Sequence, residues 1–236
     1  MKRRSFLLAL AAVSIGRPAL AQKPMKIGVI GSGRIGSTIG GLWAKAGHEV
    51  MFSDRDAEQV KRAIDGLGPE LKSKARAGSV AEAVAFGDAI LIAVPYAALP
   101  AIQQQVGEQL RGKVVVDPNN PVASRDGEMG AQAREKGAGV STATLLPGAR
   151  VVRAFNSWSY SVMAREANRP APRMAIPVAA DDPRALKLGM QLVADAGFDP
   201  VAAGSLAQSK AFDLGSAVSG RVLTAPELRQ ALQLQP

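Results

Sequence analysis

Five residues of β character, Lys26-Ile27-Gly28-Val29-Ile30, run straight into Gly31-Ser32-Gly33-Arg34-Ile35-Gly36, and a helical pattern follows through Lys45. Three glycines at this spacing are common by chance, but between a strand and a helix they restrict the fold sharply. Gly31 permits a tight turn, Gly33 removes the Cβ from the face a pyrophosphate approaches, and Gly36 lets the helix lie close on the strand. The opening helix turn offers N–H groups and the positive end of its dipole to phosphates. Residues 31 to 36 (Gly31, Ser32, Gly33, Arg34, Ile35 and Gly36) are therefore expected to cradle a dinucleotide.

Ala46-Gly47-His48-Glu49 closes the helix and Val50-Met51-Phe52-Ser53 reads as a second strand, ending at Asp54. An acid about twenty residues past the glycine motif stands where this unit reads the adenosine ribose. Asp54 favours NAD(H), because a carboxylate accepts from a 2′,3′-diol and repels a 2′-phosphate. Arg55 points the other way, since a guanidinium can clamp that phosphate, with Arg34 as a helper, or else stack on adenine. The residues leave NADP(H) and NAD(H) both open.

The rest of the chain keeps the same alternation. Helices are expected over 57–67, 80–86, 99–110 and 183–196, and strands over 75–77, 89–94, 113–117, 149–155, 174–179 and 198–202. Strands alternating with helices predict a single α/β domain of Rossmann type, a doubly wound and mostly parallel sheet, from residue 22 to 236. Val94, Pro95 and Tyr96 follow the fourth strand at the carboxyl edge, with Tyr96 either beside the nicotinamide ribose or packed under a loop. Pro118-Asn119-Asn120-Pro121 forms a turn whose amides face the cleft, Asn119 among them. Residues 121–140 read as the least regular stretch, a lid or a plain surface connection, and residues 204–210 as the opening of a C-terminal helix.

The first 21 residues read as an address. Met1 to Arg4 is cationic, Phe6 to Ile15 is apolar, and Ala19-Leu20-Ala21 supplies small residues before a cut, the pattern of a signal peptide. Arg3-Arg4-Ser5-Phe6-Leu7 resembles a twin-arginine export signal, so a periplasmic or secreted location is expected, with no stable membrane insertion after cleavage. This segment holds Lys2, Arg3, Arg4 and Arg17 and no acid, and so carries much of the +9 formal charge. No later Lys/Arg run is long enough for a nucleic-acid track, and 4% aromatic residues do not furnish a base-stacking surface. The expected partner is a small redox molecule, and a homodimer is left open.

The single histidine, His48, sits in a helix-to-strand turn on the adenosine side, and there is no cysteine. A Ser-His-Asp triad, a histidine-rich metal site and thiolate chemistry are excluded. Asp181-Asp182 before Pro183 reads as a helix cap, not a catalytic pair. No catalytic side chain and no metal ligand is assigned.

At this point the chain resembles the F420-dependent NADP oxidoreductases, relatives of the reductase domains of the STEAP metalloreductases. The resemblance rests on Met25 to Gly36, Gly47-His48-Glu49-Val50, Ile92-Ala93-Val94-Pro95, Val151-Val152-Arg153-Ala154-Phe155-Asn156 and Ala203-Gly204-Ser205-Leu206, in that order, across about residues 25–215. It implies hydride transfer between a nicotinamide and F420 or a flavin, the second cofactor being held near Asn156 and Ser205 to Ser209. Two departures stand out: Asp54-Arg55 replaces the family's frequent Ser-Arg, and Leu206-Ala207-Gln208-Ser209 replaces a Leu-Ser-Asn-Ser-type segment. Stacked redox rings need positioning more than a proton donor, so the dearth of bases suits this reading. A small dehydrogenase or imine reductase of the β-hydroxyacid or pyrroline-carboxylate type, and a non-catalytic dinucleotide sensor, are the alternatives.

Overall fold

A computed structural model describes residues 23–234; the expected signal segment lies outside the described residues. The first strand, β1 (Lys26–Ile30), is followed by α1 (Arg34–Lys45), β2 (Glu49–Ser53), α2 (Ala57–Asp65), β3 (Ala75–Ala77), α3 (Val80–Phe86) and β4 (Ala89–Ile92). Then come α4 (Leu99–Leu110), β5 (Val114–Asp117), α5 (Ala123–Lys136), α6 (Ala138–Leu145) and β6 (Arg150–Arg153). The chain ends with α7 (Tyr160–Glu166), β7 (Ala175–Val178), α8 (Pro183–Asp195), β8 (Asp199–Ala202) and α9 (Ala225–Ala231). Among the described residues, six parallel strands form one sheet in the order β3-β2-β1-β4-β5-β6. The strand order reverses between β1 and β4, and at such a switch point a crevice opens beyond the strand carboxyl ends.

Strand pleat explains why both faces carry helices. Ile27 and Val29, Ala89 and Leu91, and Val114 and Val116 join a core with Trp43, Phe52 and Phe198 under α1, α2 and α8. Their neighbours Ile30, Ile90, Ile92 and Val115 point the other way, into a core with Val84, Leu99, Val106 and Leu110 under α3 and α4. Every residue of β4 and β5 is buried, as expected of central parallel strands. Trp43 is fully buried and its Nε1–H donates to the Leu192 carbonyl at 2.8 Å, fixing α8 on α1.

Three expectations need correction. Residues 121–140 are largely helical, in α5 and α6, with a kink where Gly127 takes φ 62°. Their polar, glycine-bearing sequence hid a helix whose start is held by Asp126 and whose inner face packs Met129 and Ala133 into the second core. Residues 208–212 form a 3-10 turn, not the opening of a long helix, and the terminal helix begins only at Ala225. Positive φ at Gly204, Gly215 and Gly220 breaks this segment into turns. Finally, β7 and β8 pair with each other in parallel and meet β6 through one antiparallel bridge, Arg153 to Ala179. Short α7 was not anticipated; Ser159 caps it, its hydroxyl accepting the Val162 N–H.

Arg153 joins these parts. Its side chain is fully buried; Nη1 donates to Asp117 Oδ2 at 3.2 Å and to the Asp117 and Asn119 carbonyls, and Nη2 donates to Asn120 Oδ1 at 3.1 Å. Nη2 and Nε also reach Asp213 Oδ1, at 2.8 and 3.1 Å. One guanidinium thus binds the end of β5, the 118–120 turn and the C-terminal segment. Burial pushes the Asp117 carboxyl up, and the guanidinium counters this only in part. Arg153→Met should cost about 3–5 kcal/mol in denaturant unfolding, because the acceptors stay buried without their donor. A loss below about 1 kcal/mol, within the range of ordinary surface changes, would contradict that role.

Candidate dinucleotide and acceptor site

The glycine turn has the geometry that its spacing predicts. Gly31 adopts φ 94°, and a Cβ there would stand 2.2 Å from the Ala93 carbonyl oxygen. A Cβ on Gly36 would stand 1.8 Å from the Gly31 carbonyl oxygen, so the helix is pressed onto its own turn. Gly33 differs: a Cβ there would meet nothing nearer than Gln59 Oε1 at 3.6 Å. It is the N-cap of α1, with no side-chain cap and no acid in the first turn. An uncapped helix start that carries no negative charge and opens on solvent fits a pyrophosphate.

Two pockets meet at this turn. One, of about 620 Å³, is lined by Gly31, Gly33, Asp54, Arg55, Gln59, Val80, Ala93 to Pro95, Ala97, Ala98, Ile102 and Gln105. The other, of about 360 Å³, is lined by Gly33, Arg34, Ile35, Ala93 to Pro95, Pro118, Asn119, Asn120, Arg125, Phe155 and Trp158. They share Gly33, Ala93, Val94 and Pro95, so together they span the switch point from the end of β2 to the ends of β5 and β6. A further groove of about 620 Å³ runs between α1 and α2 through Ser37, Lys45 and Arg62. It does not reach the residues following β4 or β5 and is not the crevice the sheet topology makes.

Asp54 is held in place at the adenosine end. Its Oδ2 accepts the Ser32 N–H at 2.7 Å and its Oδ1 accepts the Asp56 N–H at 3.2 Å. Ser32 Oγ donates to the Ser53 carbonyl, and Ser53 Oγ to that of Val29, which ties the β2 end to the glycine turn. Arg34 lines both the second pocket and the α1–α2 groove, its guanidinium 5.2 Å from the Tyr160 ring centre.

Asn119 lines the second pocket and holds the Val94 backbone that both pockets share. Its Oδ1 accepts the Val94 N–H at 3.0 Å, its Nδ2 donates to the Ile92 carbonyl at 2.8 Å, and its own N–H donates to Asp117 Oδ1. Asp126 fastens the neighbouring loop, accepting the Ala97 and Val122 N–H groups and both ends of the Arg125 guanidinium. Burial raises the Asp126 carboxyl, but Arg125 and the two amides outweigh it, and the group lies below its ordinary value of 3.8.

Several expected contacts are not made. Tyr96 is the aromatic under a loop: fully buried, it meets the Thr142 hydroxyl at 3.4 Å, and burial pushes its phenol up to about 12. Asn156 lines neither pocket; its Nδ2 donates to the Phe212 carbonyl and its own carbonyl accepts from Asn120 Nδ2 at 2.6 Å. Ser205 also lines neither, its N–H and hydroxyl both turned to Gln208 Oε1. His48 is buried far from the crevice, Nδ1 accepting the Met25 N–H and Nε2 facing Asp195. Asp182 caps α8 as read, accepting the Ala185 N–H at 2.7 Å. Sequence reading missed Gln59, Arg125 and Phe155 and gave Trp158 no role. Of these only Phe155 carried a signal, as part of the Val151 to Asn156 segment.

Fold and site together define a dinucleotide-binding oxidoreductase of the Rossmann type. The model for the NADP oxidoreductase, coenzyme F420-dependent, family matches residues 26–121. The chain is 31% identical over 180 residues to the F420-dependent NADP reductase of Methanothermobacter thermautotrophicus, covering 71% of this chain and 75% of that protein. It therefore belongs to the F420-dependent NADP oxidoreductase family, NAD(P)-dependent enzymes. Its fold is also that of a hypothetical protein from Sinorhizobium meliloti, with TM-score 0.70, 23% identity and 86% and 96% of the two chains covered. A putative F420-dependent NADP reductase from Arthrobacter sp. FB24 gives TM-score 0.64 at 23% identity over 79% and 87%. The chain spans 57% of the Mycobacterium tuberculosis 3-hydroxyisobutyrate dehydrogenase, which it matches at TM-score 0.57 and 16% identity over 80% of its own length.

Two glycine substitutions should separate binding from folding. Gly33→Asp supplies a good N-cap but sets a carboxylate at the helix start, so nucleotide affinity should fall by about 100-fold or more with stability kept. Gly36→Ala should instead destabilise by about 1–3 kcal/mol or more, because Cβ collides with backbone. Calorimetry and thermal melts read the two effects. Asp126 supplies a pH test. Its lowered carboxyl contributes stability that is present above about 3.8, the ordinary value, and is lost as pH falls through the lower folded value. Asp126→Asn should thus narrow its melting gap to the parent as pH drops below about 4; a gap independent of pH would be the contrary result.

Proposed function

We propose that the protein passes hydride between a nicotinamide dinucleotide and a flavin- or deazaflavin-type ring in the pocket beside Trp158, and that it works outside the cytoplasm. The observation that carries this reading is the make-up of that pocket. Its lining is apolar or amide on every side, with Arg34 and Arg125 the ionisable side chains among the described residues that line it. An alcohol or imine substrate needs a proton donor or acceptor beside the reacting carbon, and the pocket offers neither a carboxylate nor an imidazole. A ring-to-ring transfer needs a surface to stack on, and Ile35, Val94, Pro118, Phe155 and Trp158 give the pocket apolar side chains.

When bound, the nicotinamide supplies two electrons and one proton as hydride, and the acceptor ring takes them. The chain's own part is positional. Gly33 and the first turn of α1 hold the diphosphate. Asn119 fixes the Val94 amide and so the floor on which the nicotinamide end rests. Trp158, anchored through its Nε1–H to the Arg221 carbonyl at 2.9 Å, lines the pocket that would take the acceptor. Arg34 and Arg125 suit an acceptor bearing anionic groups beyond its ring. The export reading draws on the cationic n-region, apolar run and Arg3-Arg4 pair. The twin-arginine route carries folded proteins, so a nucleotide loaded before export would travel inside the enzyme.

Stopped-flow mixing of the signal-free protein with NADH or NADPH and with F420, FMN or FAD should show transfer to at least one of them. Trp158→Ala should lower kcat/KM for that acceptor by about tenfold or more while leaving nucleotide affinity within about twofold. Tight nucleotide binding with no transfer to any ring would make the protein a sensor. Turnover of a hydroxy acid or cyclic imine instead would move it to the dehydrogenases. Fractionation of cells making the full chain tests location, a cytoplasmic pool alone being the adverse result.

A further inference from the structure

From the adenosine end of the crevice we infer that this member of an NADP-named family selects NAD(H) over NADP(H), with Asp54 as the discriminating residue and Arg55 as a platform for adenine. The inference rests on the dinucleotide reading above. Asp54 lines the larger pocket beside Gly31 and Gly33, at the carboxyl end of β2 where the adenosine ribose is read. Two backbone N–H groups hold its carboxylate, Ser32 at 2.7 Å and Asp56 at 3.2 Å. Swinging away would give up both bonds, that to Ser32 being partly buried. Ser32 belongs to the glycine turn, so the bond locks the carboxylate to the element that holds the diphosphate. A carboxylate in that place accepts from a ribose diol; a phosphomonoester carrying about −1.5 to −2 charges would meet it with like charge.

The cations that would offset this repulsion are scarce or engaged. Among the described residues lining this pocket, Arg55 alone is cationic. Arg34 lies over Tyr160, Arg62 is 3.5 Å from Asp56, and Arg76 pairs with Glu49 at 2.7 Å. Arg55 is exposed, and no hydrogen bond or ion pair to another described residue holds it; its planar guanidinium is free to cover the adenine face, which both nucleotides share. A 2′-phosphate therefore finds one mobile guanidinium and a fixed carboxylate.

Binding without turnover tests this, using ADP-ribose and 2′-phospho-ADP-ribose, which lack the nicotinamide, with titration calorimetry as the readout. The signal-free protein should bind ADP-ribose at least about tenfold tighter, a difference of about 1.4 kcal/mol, and the ratio should shrink as salt screens the repulsion. Asp54→Asn keeps a carbonyl oxygen to accept from Ser32 while removing the charge, and Asp54→Ser removes the charge and leaves a shorter hydroxyl; each should bring the ratio near or below one. Arg55→Ala should weaken both ligands alike. Tighter binding of the 2′-phosphorylated ligand by the parent, a ratio unmoved by both Asp54 changes, or a loss at Arg55→Ala confined to the 2′-phosphate would each overturn the proposal and leave the dinucleotide reading standing. Binding of neither ligand by folded protein would overturn both.

Discussion

A buried guanidinium decides how the second half of this chain meets the first. Three separate backbone segments end at Arg153: β5 with its 118–120 turn, β6 itself, and the stretch around Asp213. None of them could bury its polar ends alone, because each carbonyl or carboxylate would lose water without a donor. By serving all of them, one side chain brings the 118–120 turn to the crevice edge and draws the Phe212 carbonyl over Asn156 and Ser157, whose side chains donate to it at 3.0 and 2.7 Å. Phe155 sits at the joint with φ 62°, a left-handed backbone that costs about 1–3 kcal/mol and persists only where packing over-determines it. Its ring, set edge-on to Trp43 and Phe198 with centroids 6.0 and 6.3 Å away, supplies that packing.

The two ends of the crevice follow different physics. At the Asp54 end the fixed groups are a carboxylate and the two backbone amides that hold it. At the other end Ile35, Val94, Pro118, Phe155 and Trp158 share the lining with Asn119, Asn120 and the guanidinium groups of Arg34 and Arg125. The glycine turn lies between them and is neutral and open.

Much of this was legible in the sequence wherever a local rule and the tertiary structure agree. The apolar runs at 27–30, 89–92 and 114–116 could be little other than central strands, and the glycine spacing placed the turn between β1 and α1. Legibility failed where long-range partners overrule local preference. Residues 123–136 hold two glycines and few apolar side chains, yet they are helical because Asp126 binds the Ala97 amide, 29 residues earlier, and so docks the helix start. Tyr96 follows a strand at the carboxyl edge, as cofactor-facing residues do, but the 3-10 turn over 96–98 rolls its ring inward. Ser205 and Asn156 matched family segments as letters; their side chains serve turns that no local pattern announces.

That contrast bears on what a family resemblance carries. The mechanics of the fold are backbone matters: a turn that only glycine can make, a helix start left uncapped, a switch between strands. At Gly31 and Gly36 any other residue would collide with a carbonyl, whereas at Gly33 a Cβ would find room. Selectivity resides in side chains that the backbone tolerates equally well either way, as at Asp54, where serine would fit the same turn. A chain can therefore keep every glycine of its relatives and still differ from them in which nucleotide it takes, and the place to look is the first residue after β2, where the backbone no longer constrains the choice.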